Sequence, residues 1–315
     1  MSGERSITRR RFLASVGVLG TASVAAGIDG FAIEPERVEV TANELRSPES
    51  ARDAAAGAGA VLASSVNGPA SLSFVQLSDL HLQRVAEHEE RVAAAVKELD
   101  PDFLVITGDS IDNRHHLHLL DGFLALLDHD LPKYAIMGNW EHACRVNRDR
   151  LREVYESHGC RLLVNESAVH DHGGRELLIT GLDDLLEGRS KVADALRDVE
   201  PRADHIILAH CPVQRDVLLK VRPPSGNRFT GIRAEDAAEL SRFSPSCVLS
   251  GHTHGGQVNL FGFAPWRPRG SGPYVNGWYR DVQPALYVSR GIGTVTLPIR
   301  LGSAPEVASF RWLLA

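Results

Sequence analysis

The chain has no excess of positive charge. Its formal net charge is −6 and its pI about 6.2, so a nucleic-acid backbone is not an expected partner. An anionic substrate would have to meet positive charge arranged locally. Cysteine is scarce: Cys144, Cys160, Cys211 and Cys247 form no C-x-x-C pair and no dense framework. They read as small buried hydrophobes, with a bridge between Cys144 and Cys160 as the alternative. Long apolar runs are missing as well. The most extended one, residues 12 to 28, has 17 positions rich in Gly, Ala and Ser, at the lower limit for crossing a bilayer. No internal repeat is visible. With 43 % hydrophobic and 23 % charged residues over 315 positions, the composition excludes a disordered chain and allows one large domain or two small ones.

What is present begins with an address. Arg9, Arg10 and Arg11 precede Phe12, Leu13 and the weakly apolar run, a pattern that resembles a twin-arginine export signal over residues 1–30. A short amphipathic helix or a basic tail is the alternative. As a signal, it is cleaved near "SVAAG" or kept as a membrane anchor, and it implies the twin-arginine export machinery as a partner and a periplasmic or other extracytoplasmic location. That route carries folded proteins, so a metal centre would be loaded before export. Residues 31–71 hold a first strand, "ERVEVTANEL", and an Ala/Ser/Gly-rich stretch, "SPESARDAAAGAGAVLASSVNGPA", that reads as an insertion or linker.

From residue 72 to 315 a rhythm appears of apolar run, polar cluster and amphipathic stretch. The runs "LSFVQL", "FLVIT", "YAIM", "ELLIT", "HIILA" and "CVLS" are of strand length and nearly continuous, as strands covered on both faces are. Between them lie helical patterns such as "EERVAAAVKEL", "HLLDGFLALL" and "NRDRLREVYESHG". The alternation predicts an α/β layered fold whose polar clusters fall at strand C-terminal ends. Beyond "GGQVNLFGF" short strands with Gly/Pro turns take over, which suggests a second sheet completing a sandwich.

The strand-end clusters are "SDLHL" with Asp79 and His81, "TGDSID" with Asp109 and Asp112, "MGNWEH" with Asn139, Glu141 and His142, "LAHCP" with His210, and "SGHTHGG" with His252 and His254. Any one alone could be a helix cap or a turn. Five in succession, each after an apolar run, point to a metal site, since imidazole is the commonest transition-metal ligand.

In that order the clusters resemble the signature of the calcineurin-like metallophosphoesterases: D-x-H, G-D-x-x-D, G-N-H-[DE], H, G-H-x-H, over roughly residues 72 to 257. The later "PYVNGWY" and "LYVSRGIG" resemble an exported bacterial subgroup similar to UDP-2,3-diacylglucosamine hydrolases. The resemblance implies a four-layer αββα sandwich of two mixed sheets. It further implies two divalent transition-metal ions at the strand ends, with Asp79, His81 and His254 on the first, Asn139, His210 and His252 on the second, and Asp109 between them. The i, i+2 spacing on a glycine-rich turn lets His252 and His254 face one cavity. Mixed imidazole and carboxylate ligands suit manganese first, with iron, zinc or cobalt as alternatives, better than magnesium or calcium. Two divalent ions against two carboxylates and a hydroxide leave about one positive charge for a phosphate. The implied reaction is hydrolysis of a phosphate ester or pyrophosphate bond by attack of the hydroxide shared between the metals.

The pattern breaks once. Trp140 stands where the family has the histidine that protonates the leaving oxygen, and an indole is no acid near pH 7. His142, two positions on, is the candidate general acid; simple packing is its alternative. Trp140 would then offer an apolar wall to a lipid or base. Asp112 and Glu141 are expected behind the ligands, Arg290 either at a substrate phosphate or in a salt bridge, and Asp183 and Asp184 at the cleft border or capping a helix. His115, His116 and His118 read as surface residues. Three functions remain open: a phosphoesterase acting on an envelope lipid-linked substrate, an exported nucleotide phosphodiesterase or phosphomonoesterase, and a silent binding module on the same fold.

Overall fold

The computed structural model describes residue 27 and residues 29–48, 70–219 and 234–315. The arginine cluster of the expected signal, most of the Ala/Ser/Gly-rich stretch and residues 220–233 lie outside the described residues. Among the described residues no helix is long and apolar enough to cross a membrane.

Among the described residues, twelve strands form two sheets of six. In chain order they are β1 (Glu39–Arg46), β2 (Ser71–Leu77), β3 (Phe103–Ile106), β4 (Lys133–Ala135), β5 (Cys160–Leu162), β6 (Glu166–His172), β7 (Arg175–Gly181), β8 (His205–Leu208), β9 (Cys247–Ser250), β10 (Gly277–Tyr279), β11 (Ala285–Val288) and β12 (Glu306–Leu313). The first sheet runs β1-β12-β2-β3-β4-β5 and the second β10-β11-β9-β8-β7-β6. Strands β2 to β5 are parallel, as are β7, β8, β9 and β11; β12 pairs antiparallel with β2, and β10 and β6 lie antiparallel at the edges of their sheet.

The continuous apolar runs are explained by burial on both faces. In β3, Phe103 and Val105 join the core between the sheets, whereas Leu104 and Ile106 pack under helices. Strand β8 repeats the division, with Ile206 and Leu208 between the sheets and Ile207 under helices. Successive side chains of a strand alternate sides, so neither face can be polar. Phe74 lies stacked between Phe103 and Phe310, at 4.9 and 4.6 Å between ring centroids, which ties β2 to both of its neighbours.

The helices α1 (Glu87–Leu99), α2 (Leu117–Leu124), α3 (Asn139–Ala143) and α4 (Arg148–Glu156) precede β5, and α5 (Val192–Leu196), α6 (Gln214–Leu218) and α7 (Ala234–Leu240) follow β7. Residues of α1, α2 and α4 cover the outer face of the first sheet, and Val192, Ala195, Leu196 and Leu218 cover that of the second. The result is the expected four-layer sandwich. Helix α1 starts where Glu89 accepts from the Ala86 amide and ends at Asp100 in a left-handed turn before Pro101.

Two expectations are corrected. The domain does not begin at residue 72, because β1 pairs with β12 over eight residues and completes the first sheet. The C-terminal strands do not build a sheet of their own: β10 and β11 extend the second sheet, and β12 inserts into the first. The cysteines keep their main reading: all four are free, Cys160, Cys211 and Cys247 are buried and Cys144 is half-buried, and the alternative bridge from Cys144 to Cys160 is not formed.

Candidate metal centre

Parallel strands deliver the residues of interest to one end of the sandwich. Asp79 and His81 follow β2, Asp109 follows β3, Asn139 opens α3 after β4, His210 follows β8, and His252 and His254 follow β9. Five of these, Asp79, His81, Asp109, His252 and His254, have left-handed backbones with φ between 43° and 72°. Such a conformation costs a non-glycine residue about 1–3 kcal/mol and persists only where the surroundings hold it. Here the surroundings are neighbouring loops. The amides of Asp79, His81 and Leu82 donate to the carbonyls of Gly108, Asp109 and Ser110 at 2.9–3.0 Å, locking the first two loops side by side.

The glycines before Asn139 and His252 are dictated by space. A Cβ on Gly138 would stand 2.2 Å from Asp109 Oδ1, and one on Gly251 would stand 2.2 Å from Asp79 Oδ2. G-N and G-H therefore record how closely two loops approach.

The side chains converge as two buried groups, Asp79, His81 and His254 in one, Asp109, His210 and His252 in the other, each with ligand atoms within 4.8 Å of one another. Asn139 Oδ1 belongs with the second, 2.9 Å from His252 Nδ1 and 3.2 Å from His210 Nε2. Asp109 lies between the groups: Oδ2 is 3.6 Å from His81 Nε2 and 3.1 Å from His210 Nε2. Its Oδ1 accepts from the Trp140 amide at 2.8 Å, so one oxygen, rather than one per group, faces both.

Three histidines are oriented from behind. His210 Nδ1 donates to the Thr107 carbonyl at 2.8 Å, His252 Nε2 to that of Arg269 at 2.7 Å, and His254 Nδ1 to that of Gly293 at 3.3 Å. These bonds turn the opposite nitrogen of each ring inward. Burial pushes His254 down to about 3 and, with His210 nearby, lowers His252, so both are neutral and offer lone pairs. Burial also works to lower His210, but the Asp109 carboxylate overrides it and holds its pKa well above the usual value. The second group thus gathers His252 Nδ1, His210 Nε2, Asn139 Oδ1 and Asp109 Oδ2 around a space that demands a proton or a cation. In the first group both nitrogens of His81 are buried without a hydrogen-bond partner. An orphaned buried imidazole facing two carboxylates is what a metal ligand looks like before the ion is added, so the donor set fits a pair of divalent ions.

The other sequence candidates take varied positions. Glu141 is buried and accepts backbone amides of Gly138, Asp109, Ser110 and Ile111, which fastens α3 to the Asp109 loop. Burial and neighbouring Asp109 push its carboxyl up to about 7, against the pull of those amides. The Trp140 ring meets His81 edge-on at 5.9 Å. Asp112 touches none of the seven; it accepts from Gln83 Nε2 at 2.8 and 2.7 Å and so braces the loop that carries His81. Arg290 is engaged elsewhere, 3.1 Å from Glu39 and 3.7 Å from Glu306, in the salt bridge that was the alternative for it. His115 and His118 lie near the surface, and His116 is 3.7 Å from Asp112.

His142 Nε2 sits 2.7 Å from Asp183 Oδ1, a contact that raises the histidine pKa against burial. The pair borders a cavity of about 550 Å³ whose lining includes Arg148, Asn165, Arg189 and Lys191. Asp183 and Asp184 cap no helix. They accept the amides of Asp184, Leu186, Glu187 and Arg189 and shape the loop at that cavity's edge.

Sequence reasoning missed Arg300 and Glu34. The fully buried Arg300 guanidinium donates to the carbonyls of Arg290, Ser303 and Gly293, the last being the partner of His254 Nδ1. Buried Glu34 accepts the amides of Gly302 and Ser303, and the Ser303 hydroxyl donates to the His254 carbonyl. Neither lies in a spaced motif, so no signal in the chain pointed to them.

Residues 72–256 match the model of the calcineurin-like phosphoesterase family. The chain is 28 % identical over 325 residues to the uncharacterized metallophosphoesterase YkuE of Bacillus subtilis, covering 97 % of this chain and 98 % of that one. It is 30 % identical over 253 residues to an uncharacterized metallophosphoesterase of Aquifex aeolicus, covering 75 % and 83 %. To the UDP-2,3-diacylglucosamine pyrophosphatase LpxG of Chlamydia muridarum it is 26 % identical over 303 residues, covering 77 % and 84 %.

Proposed function

The chain belongs to the calcineurin-like phosphoesterase family, and from that premise we propose that it cleaves a phosphate ester or pyrophosphate bond in a lipid-linked envelope substrate. It is a hydrolase acting on phosphoester bonds. One observation carries the substrate-independent part: seven donors from two sheets meet in a buried cluster that requires positive charge. Two divalent ions held there, manganese by preference, would lower the pKa of a shared water and neutralise the phosphoryl oxygens. Asp79, His81 and His254 would hold one ion, Asn139, His210 and His252 the other, with Asp109 placed between them.

The chain's own residues then set geometry and proton traffic. Thr107, Arg269 and Gly293 carbonyls keep three imidazoles aimed inward. His142 supplies the proton for the leaving oxygen. Asp183 accepts from Nε2 and raises the ring's pKa above its usual value, which leaves Nδ1 to donate. The cavity beside it takes the departing group. A lipid-linked substrate is favoured by the relative named as a UDP-2,3-diacylglucosamine pyrophosphatase and by the export signal read in residues 1–30, which would carry the protein to the outer face of the membrane.

The test is turnover by the purified full chain with Mn²⁺ on bis(p-nitrophenyl) phosphate, then on lipid pyrophosphates and nucleotides. Hydrolysis that a chelator abolishes, with lipid pyrophosphates ahead of nucleotides, is expected. Metal-loaded protein that cleaves none of them contradicts the proposal, and preference for nucleotides overturns the substrate class. In the same assay His142→Ala should depress turnover of alkyl esters more than of p-nitrophenyl esters, which leave without help. Equal losses would remove the acid role.

A further inference from the structure

Beside the His254 end of the site, a short helical turn at Asp29–Ile33 and two loops turn large apolar side chains outward. Phe31 and Ile33 are 53 % and 52 % exposed, Phe261, Phe263 and Trp266 are 108 %, 69 % and 55 % exposed, and Leu297 is 56 % exposed. The three segments form one surface. The Asn259 amide donates to the Leu301 carbonyl at 2.7 Å, the Arg300 amide to that of Gly30 at 2.8 Å, and Leu260 and Phe263 pair across the hairpin tip. A Cβ on Gly256 would meet Ala264 at 2.5 Å, which fixes the hairpin against the turn that follows His254. No charged residue occurs in 30–33, 257–266 or 294–299.

Isolated exposed apolar residues are ordinary, but an apolar surface built from three separate segments marks an interaction site. We propose that this face seats on a lipid bilayer surface, with the hairpin at 258–266 entering the headgroup region. Two observations select that occupant. A side chain as exposed as Phe261 protrudes and lines no groove, so it is shaped to enter a soft phase. Tryptophan and phenylalanine at loop tips, with exposed Arg267 next in the chain, match the aromatic and cationic preferences of a bilayer interface. Chain order gives a further reason. The apolar run at 12–28 ends three residues before Phe31, a span of at most about 10 Å, so an anchor there and this face would meet the same membrane. Docked in this way, the metal cluster lies beside the headgroups. The proposal goes beyond the hydrolytic reading and needs neither metal nor turnover.

It is tested with the full chain and vesicles of phosphatidylcholine and phosphatidylglycerol whose acyl chains are brominated near the headgroup. Bromine is expected to quench tryptophan fluorescence. Trp266→Phe should remove most of the quenched component, and Phe261→Asp should lower vesicle partition roughly tenfold or more. Both positions are exposed, and unchanged circular dichroism verifies the fold. Bromine quenching that survives Trp266→Phe, or unaltered partition of Phe261→Asp, overturns the proposal. So does a lipid-free dimer that Phe261→Asp dissolves, which would make a second copy the occupant. Failure of iodide to reach Trp266 in lipid-free protein also overturns it, because the face would then be covered by the chain itself.

Discussion

Replacing Asp109 by asparagine is expected to lower Mn²⁺-dependent phosphoester hydrolysis by more than about 100-fold, beyond the roughly 10–100-fold cost of disturbing an outer partner of a metal ligand. The reason is geometric and electrostatic together. Oδ1 is committed to the Trp140 amide, and Oδ2 alone faces His81 and His210. An asparagine that keeps the Trp140 bond must turn its NH₂ toward the cations, and one that flips loses the bond. Either way a negative charge shared by both groups is gone. The fold should survive, because the change is isosteric. The ions' contribution to stability should not. At a metal concentration near 100 times Kd, wild-type protein gains about 2.7 kcal/mol, and Asp109→Asn should show little of that shift by calorimetry. Retained turnover with bound metal would contradict the position given to this carboxylate.

Gly138→Ala should be strongly damaging for a single added methyl group. The new Cβ falls 2.2 Å from Asp109 Oδ1 and 2.6 Å from its amide nitrogen, so backbone must move. Overpacking of this kind costs about 1–3 kcal/mol, and the atom displaced is the carboxylate between the two groups. Loss of stability and loss of metal should therefore appear together, in a melting curve and in metal analysis of the same sample. Gly122→Ala is the control. It sits inside α2 with only Val85 nearby, at 3.6 Å, and should be neutral or stabilising by about 0.4–1 kcal/mol. Equal effects at both positions would show that glycine content, and not the Asp109 contact, sets the outcome.

The part of this architecture that could be read from the chain is the part written in repetition. Apolar runs such as "FLVIT" and "HIILA" recur because their strands are covered on both sides, and the polar residues at their ends recur because the ends of parallel strands share one rim. Sheet membership was less legible. Alternation reports which face a residue occupies and not which strand lies beside it, so nothing in "EVASFRWL" announces that β12 divides β1 from β2. Strand β5 is three residues long and β6 is an edge strand with polar residues such as Glu166 and Asp171, too short or too polar to stand out. Roles that depend on distant partners were hidden for the same reason. Arg290 is claimed by carboxylates of β1 and β12, Asp112 by Gln83, and Arg300 by three carbonyls, and none of these pairings leaves a spacing in the sequence.

The most direct measurement is anomalous diffraction from crystals of the full chain grown with Mn²⁺. Two peaks about 3.5–4 Å apart are expected, one against Asp79, His81 and His254, the other against Asn139, His210 and His252, with Asp109 Oδ2 touching both. A map without ordered metal at these side chains, or with one ion that leaves Asp109 uncoordinated, would contradict the binuclear centre.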